Sequence, residues 1–335
     1  MSHTSEAIPG RRRRTLVAGL ATGTLLLAAC GGGGGGGDAG DAPGADGTLS
    51  IATGGTGGVY YPYGGGMANV LRERLGLNAS VQETNASVDN LLLVQDGAAD
   101  MAFSLGDTVA DGVAGRAQFE GRAVQLCTLG RLYDNFTQPV TMAGTGIRSV
   151  ADLRGKRVSV GSPGSGTEVI ALRILEAAGI NPETDIQRSQ LGVGETAQAL
   201  RDGTVDAGFW SGGLPTGALI DLASTGQMVL IPTGEFGPAL AQRYGEYYGV
   251  TDIPAGTYQG QTEPSPQVVV PNVLVVRPDM PQQLQQDVTR VIFENEQQLA
   301  TVHPAANDLD AATAGDVRFV EVCPGARAYF DQAGG

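Results

Sequence analysis

Short apolar runs alternate with helical periodicities along most of the chain, and glycine-rich turns mark the changes between them. The run 48–52 breaks into Thr53-Gly-Gly-Thr-Gly-Gly58, after which Met67, Val70, Leu71 and Leu75 share one helical face. The run 157–161 breaks into Ser162-Pro-Gly-Ser-Gly166, and Val169, Ile170, Ile174 and Ala177 share the face that follows. Further helices are expected from Ser87, a good cap, near 107–113, at 149–155, around 196–201, from 217 to about 223 and at 238–248. One long helix is expected from 281, with Leu284, Val288, Val291, Ile292 and Leu299 on one side, and a last one from Pro324. Strands are expected at 100–104, through Val124, Leu126 and Thr128, at 206–210 and at 228–231, while 139–142 and 267–277 read as two crossings between lobes. Strand and helix alternating in this way predict an α/β fold.

The two glycine turns are spelled alike. Thr53, Gly55, Thr56 and Gly57 have counterparts in Ser162, Gly164, Ser165 and Gly166 at a constant offset of 109. Asp96-Gly-Ala-Ala-Asp-Met-Ala-Phe103 is likewise matched by Asp202-Gly-Thr-Val-Asp-Ala-Gly-Phe209 at an offset of 106. Such turns occur without ligands, and a βαβ unit has few spellings. Two of them, each at a helix start where N–H groups lack intrahelical partners, point to an anion held between two similar lobes. Both turns offer neutral donors and no arginine. Tyr60, Tyr61, Phe209 and Trp210 are candidates to wall an apolar part of the ligand, Phe209 and Tyr61 being the better candidates for plain core.

Composition changes the picture at the N-terminus. Arginines 11–14 precede the apolar stretch 16–29, which is the length of a secretory leader and ends Leu27-Ala-Ala-Cys30. Small residues before a cysteine resemble the lipobox of bacterial lipoproteins, with Cys30 as the lipidated first residue; the arginines also permit twin-arginine export. Seven glycines and an Asp/Ala/Gly/Pro segment then form a flexible tether. Without residues 1–29 the chain has 306 residues, 17 basic and 34 acidic side chains and a formal charge of −17. That argues against nucleic acid and against an anionic membrane surface as partners, so no nucleic acid is expected and the membrane is expected in contact only through the lipid.

Enzyme classes find little support. There is no P-loop spelling around Lys156, the only lysine, no Gly-x-Ser-x-Gly, a poor dinucleotide fingerprint, and one histidine, His303, beyond the leader. No Cys/His cluster has metal-ligand spacing, so neither metal nor cofactor is expected.

Thr53-Gly-Gly-Thr-Gly-Gly-Val-Tyr-Tyr-Pro-Tyr-Gly64, Thr84-Asn-Ala-Ser-Val-Asp-Asn90, Asp206-Ala-Gly-Phe-Trp-Ser-Gly-Gly-Leu-Pro-Thr-Gly217 and Pro324-Gly-Ala-Arg-Ala-Tyr-Phe330 resemble the TAXI family, in order, from about Leu49 to the C-terminus. These are solute-binding proteins of tripartite ATP-independent periplasmic (TRAP) transporters. The resemblance implies a two-lobed periplasmic-binding-protein fold, type II-like, with two crossing strands as hinge and the ligand in the inter-lobe cleft. It implies lobe 1 from 48–141 plus 271–335 and lobe 2 from 142–270, after a leader (1–29) and a tether (30–47). The expected function is extracytoplasmic, lipid-anchored capture of a small organic anion or amino acid, such as glutamate or a dicarboxylate, for delivery to integral-membrane TRAP permease subunits. A ligand-presenting sensory receptor and an ABC-transporter binding protein are the alternatives. The expected ligand contacts are Thr56, Gly57, Gly58, Tyr60, Tyr61, Thr84, Ser87, Asn90, Ser162, Ser165, Gly166, Thr167, Trp210, Gly212, Gly213 and Pro215. The family's usual histidine before Pro-Gly-Ala is Cys323 here. Cys127 precedes the first crossing and Cys323 precedes a final helix that packs back onto lobe 1 in such folds, so a disulfide between them is expected in an exported chain, with two buried thiols as the alternative.

Overall fold

The computed structural model describes residues 42–44, 46–224 and 227–334. The leader, Cys30 and most of the tether lie outside the described residues, all of which belong to one unit, Asp38–Gly335. In chain order the first half comprises β1 (Thr48–Ala52), α1 (Tyr60–Leu75), β2 (Asn78–Gln82), α2 (Ser87–Gln95), β3 (Met101–Leu105), α3 (Gly106–Ala114), β4 (Cys127–Thr137), β5 (Val140–Met142), β6 (Arg157–Ser159), α4 (Gly166–Ala177), β7 (Gln187–Ser189), α5 (Val193–Arg201) and β8 (Ala207–Gly208). The second half comprises β9 (Ser211–Gly212), α6 (Gly217–Ala223), β10 (Met228–Leu230), α7 (Gly237–Tyr244), β11 (Gly249–Ile253), β12 (Ser265–Val276), α8 (Gln282–Glu294), α9 (Glu296–Ala300) and α10 (Pro324–Ala333). The expected helix at 149–155 is a 3-10 turn, Val150–Leu153.

Two mixed sheets carry the two lobes. One has the order β2-β1-β3-β12-β4-β9 with β11 added to β12; the other has the order β10-β5-β8-β6-β7. The doubled sequence reappears as doubled topology. β2-β1-β3 and β7-β6-β8 are both parallel, each with its earliest strand in the middle. Asp100 and Asp206 play a similar part in each, their carboxylates accepting from Ser50 N–H (2.7 Å), in the middle of β1, and Arg157 N–H (2.8 Å), at the start of β6.

Alternation along the strands decides what each face buries. Leu49, Ile51, Met101, Phe103, Leu274 and Val276 pack with α1, α8 and α10, while Ala52, Ala102, Val273 and Val275 pack on the opposite face with α2 and α3. In the second lobe Val158 and Val160 meet α4 and α7, and Val140 meets α5 and α6. With both faces covered, β12 reads as an almost unbroken apolar run. Its early residues Val268 and Val270 belong to the core of the second lobe and its later ones to the first, so the strand crosses between them. The break in the run is Pro271-Asn272. A proline is tolerated there because, on the edge away from β4, it falls between the β11 ladder, which ends at Val269, and the β3 ladder, which begins at Asn272. The pairing with β4 shifts register just after it. The other crossing is β4 into β5.

Three expectations need correction. The helix from 281 is two helices, because Asn295 leaves helical geometry (φ −114°, ψ 29°) and turns its amide onto Val291 O (2.8 Å). β11 was not foreseen; it is half exposed and its ladder with β12, not its own pattern, makes it a strand. Ser211-Gly212, expected in the second lobe, pairs with Phe136 and Thr137 at the end of β4, because that eleven-residue strand carries the first sheet past the lobe boundary. Cys127 and Cys323 are joined by a disulfide, with Cα atoms 5.0 Å apart.

Candidate ligand-binding site

Both glycine turns open onto one cavity of about 50 Å³ between the lobes. Four helix N-termini line it, two from each lobe. Gly58, Val59 and Tyr60 belong to α1, Ala86 and Ser87 to α2, Ser165, Gly166 and Thr167 to α4, and Gly192 and Val193 to α5. Gly54, Gly55, Thr84, Asn85, Leu105, Ser162, Trp210, Ser211 and Gly212 complete the wall, so no charged side chain lines it. α1 has neither a side-chain cap nor an acidic residue in its first turn, which leaves its positive end uncompensated.

The hydroxyls are oriented by the backbone behind them. Ser87 Oγ accepts from Leu105 N–H (3.2 Å), Ser165 Oγ from Glu168 N–H (3.1 Å) and Thr167 Oγ1 from Ser211 N–H (3.1 Å). Each oxygen thus has one lone pair filled by a backbone N–H, which turns the hydroxyl and leaves its proton free to donate. The Ser87 proton can turn to Tyr60 Oη or to a ligand. Ser211 Oγ is buried and has no hydrogen-bond partner among the described residues. Tyr60 Oη accepts from Asn272 Nδ2 (2.8 Å), and burial pushes its phenol pKa up, so it stays neutral. Trp210, the sole tryptophan, is fixed by its Nε1–H bond to Thr216 Oγ1 (2.9 Å).

The lobes touch through these same turns. Val88 and Asp89 N–H donate to Gly164 O (3.1 and 3.3 Å), and Ala218 N–H donates to Gly57 O (3.3 Å). Two glycines permit the approach. A Cβ on Gly58 would lie 2.8 Å from Trp210 Cη2, and one on Gly166 would lie 2.5 Å from Leu105 Cδ1 and 2.7 Å from Ser87 Oγ. Gly166→Ala is therefore expected to weaken ligand binding about five- to a hundredfold, since overpacking costs about 1–3 kcal/mol, while the melting temperature of the unliganded protein holds. Calorimetric titration beside a thermal melt checks this; undiminished affinity would show that the lobes need not come so close.

Of the expected contacts, Gly58, Tyr60, Thr84, Ser87, Ser162, Ser165, Gly166, Thr167, Trp210 and Gly212 line the cavity. The structure places the others around it. Thr56 is exposed, its N–H directed at Glu83 (3.3 Å), and Tyr61 is half-buried away from the cavity. Gly57 and Gly213 are spacers, the latter between Tyr133 and Ala305. Asn90 stands behind the site with its amide spent on Thr53 O (2.7 Å), Phe103 O (2.8 Å) and the Thr84 hydroxyl (2.7 Å), which shapes the 84–87 turn. In that turn Ala86 adopts φ 77°, an unfavourable angle for alanine, held by its N–H bond to Thr84 Oγ1 (3.0 Å). Pro215 offers its carbonyl to His303 Nε2 (3.2 Å); Nδ1 accepts from Ala305 N–H (3.1 Å), which puts the ring proton on Nε2, and burial lowers the histidine pKa. Phe209 is core of the second lobe. Sequence reasoning missed Gly192 and Val193. The signal was present, since Glu195 three residues after Gly192 is half of a capping box and accepts from Gly192 N–H (3.1 Å).

Two α/β lobes joined by crossing strands, with a polar cleft between them, are the type II periplasmic-binding-protein fold. The chain belongs to the NMT1-like family, whose profile matches residues 51–334. Among solved structures, a protein from Bordetella bronchiseptica RB50 is similar with 17% identity and a TM-score of 0.53, over 86% of this chain and 98% of that one. The periplasmic aliphatic sulphonate binding protein SsuA from Escherichia coli matches with 17% identity and a TM-score of 0.48, over 85% and 82% of the two chains. Among the described residues no helix is long and apolar enough to cross a membrane, and no group of acidic, histidine or cysteine side chains is placed to hold a metal ion.

Proposed function

We propose that this protein is an extracytoplasmic solute-binding protein of the TAXI type, tethered by lipid at Cys30, which holds a small organic anion between its lobes and delivers it to a TRAP permease. The observation that carries the reading is the convergence of four helix N-termini, two per lobe, on one cavity with hydroxyl donors. Helix N-termini favour negative charge, and closing the lobes removes the water that would screen it. The transporter class rests on the resemblance of the sequence motifs to the TAXI family. Because the donors come from both lobes, binding an anion favours the apposed arrangement, which a permease can recognise.

The test is calorimetry on protein stripped of ligand by unfolding and refolding. Carboxylates or sulfonates are expected to bind and neutral sugars not to. Thr167→Ala should weaken binding by about 1.5–3 kcal/mol, the worth of a hydrogen bond to a charged group. Tight binding of a sugar with no binding of oxyanions would overturn the reading.

A further inference from the structure

We infer that the anion taken by this cleft carries no ammonium group, so that the site is built for short organic oxyanions and rejects the α-amino acids of the same size. The inference rests on the reading of the cleft as an anion site and goes further, to what the rest of the ligand must be. An amino acid needs two complementary ends, donors for its carboxylate and acceptors, usually a carboxylate, for its ammonium. The cavity supplies the first in abundance. Helix N-termini arrive from both lobes, Ser165 and Thr167 accept one backbone N–H each and keep their protons to donate, and Ser211 Oγ is buried with no hydrogen-bond partner among the described residues.

The second end has no charged partner; the lining offers an ammonium only neutral acceptors, such as the Asn85 amide oxygen and hydroxyl lone pairs. No carboxylate lines the cavity, and the nearby ones are committed elsewhere. Glu168 is held by Arg188 (2.9 Å), Gln190 (2.5 Å) and Gly164 N–H (3.0 Å), Asp89 by Asn85 Nδ2 (2.8 Å), and Glu195 by Gly192 N–H (3.1 Å). An ammonium closed into this cleft would lose its hydration and face aligned positive helix ends, which is the costly arrangement for a buried cation. Size points the same way. About 50 Å³, walled by Trp210 and Tyr60, is several-fold below the roughly 300–1,000 Å³ of sites for drug-sized ligands. A ligand of a few non-hydrogen atoms fits, one oxyanion with a short apolar or hydroxylated remainder.

Trp210 makes the experiment direct, because the only tryptophan lines the cavity. Stripped protein is titrated with matched pairs, lactate against L-alanine and ethanesulfonate against taurine, with glucose as neutral control, following tryptophan fluorescence and confirming by calorimetry. The member without an ammonium is expected to bind about a hundredfold or more tighter within at least one pair, and the responding pair tells carboxylate from sulfonate. Ser211→Ala should weaken that binding about tenfold without altering the circular dichroism spectrum. If the amino member binds equally or better, the inference fails and the anion reading stands. If no oxyanion gives a saturable response, both fail.

Discussion

Replacing Cys127 and Cys323 together by alanine is expected to lower the unfolding free energy by up to about 5 kcal/mol, the figure a chain-entropy argument gives for a loop of this size. The cross-link joins residues 196 apart, so it removes a large share of the conformations open to the unfolded chain. Cys127 opens β4 and Cys323 directly precedes α10, which packs with α8 in the core of the first lobe. The backbone already holds the same place. Thr128 N–H donates to Glu321 O and Cys323 N–H to Thr128 O, both at 2.9 Å, and both cysteines are buried. The alanine variant should therefore fold to the same structure and lose stability through the unfolded state. For a body of this size the loss corresponds to a fall in melting temperature of up to about 8 °C. Ligand affinity should not change, because neither cysteine lines the cleft. Scanning calorimetry of both proteins decides it; a difference below about 1 kcal/mol would mean that native contacts, not the bond, hold α10 in place.

The cysteine pair could be anticipated because reading Cys30 as the lipidated residue left Cys127 and Cys323 only each other. Much of the fold was legible for similarly local reasons. The two glycine turns announced strand-to-helix changes, and the apolar, β-branched run of β12 announced a crossing strand. The ten cavity residues foreseen lie in motifs whose residue types suit helix starts. What escaped depends on contacts between distant segments. Asn90 looks like a ligand contact in sequence, and only the positions of Thr53 O and Phe103 O show its amide to be spent. β11 exists because β12 offers an edge, and Ser211 reaches the first sheet because β4 is long enough to receive it. Arg173 gave no signal at all, since it sits on the face of α4 where apolar residues were expected to run and its partners are 66 and 62 residues away.

Arg173→Met is expected to cost about 3–5 kcal/mol of stability, the range for stripping the partner from a buried charge. Its side chain is only 8% exposed and reaches from α4 of the second lobe to Asp107 and Asp111 on α3 of the first, both buried. It donates to Asp107 (3.3 Å), Tyr248 Oη (3.0 Å) and Asp111, and lies 4.1 Å from the Tyr244 ring centre. Tyr248 in turn donates to Asp107 (2.6 Å). Burial pushes the Asp107 pKa up and Arg173 pulls against it; burial acts to lower Arg173, and Tyr248 with the two carboxylates outweighs it. Without the guanidinium, burial acts on Asp107 unopposed by Arg173 and Asp111 keeps only Arg116, at 3.4 Å and exposed. The sign of the pH dependence follows. A carboxyl whose folded pKa lies above its unfolded value of 3.8 binds more protons folded than unfolded, so the variant should regain stability as pH falls from 7 toward 5 and lose it again as pH rises. Adding Asp107→Asn and Asp111→Asn should restore part of the loss at pH 7 by removing the stranded charges. Because α4 presents Gly166 and Thr167 to the cleft from the same helix that Arg173 ties to α3, the single variant should also bind ligand more weakly, its closed arrangement having lost a buried contact between lobes. Urea unfolding at pH 7 and pH 5 for the three proteins is the measurement. A single variant within 1 kcal/mol of the wild type at both pH values would show that the network is no more than solvated packing.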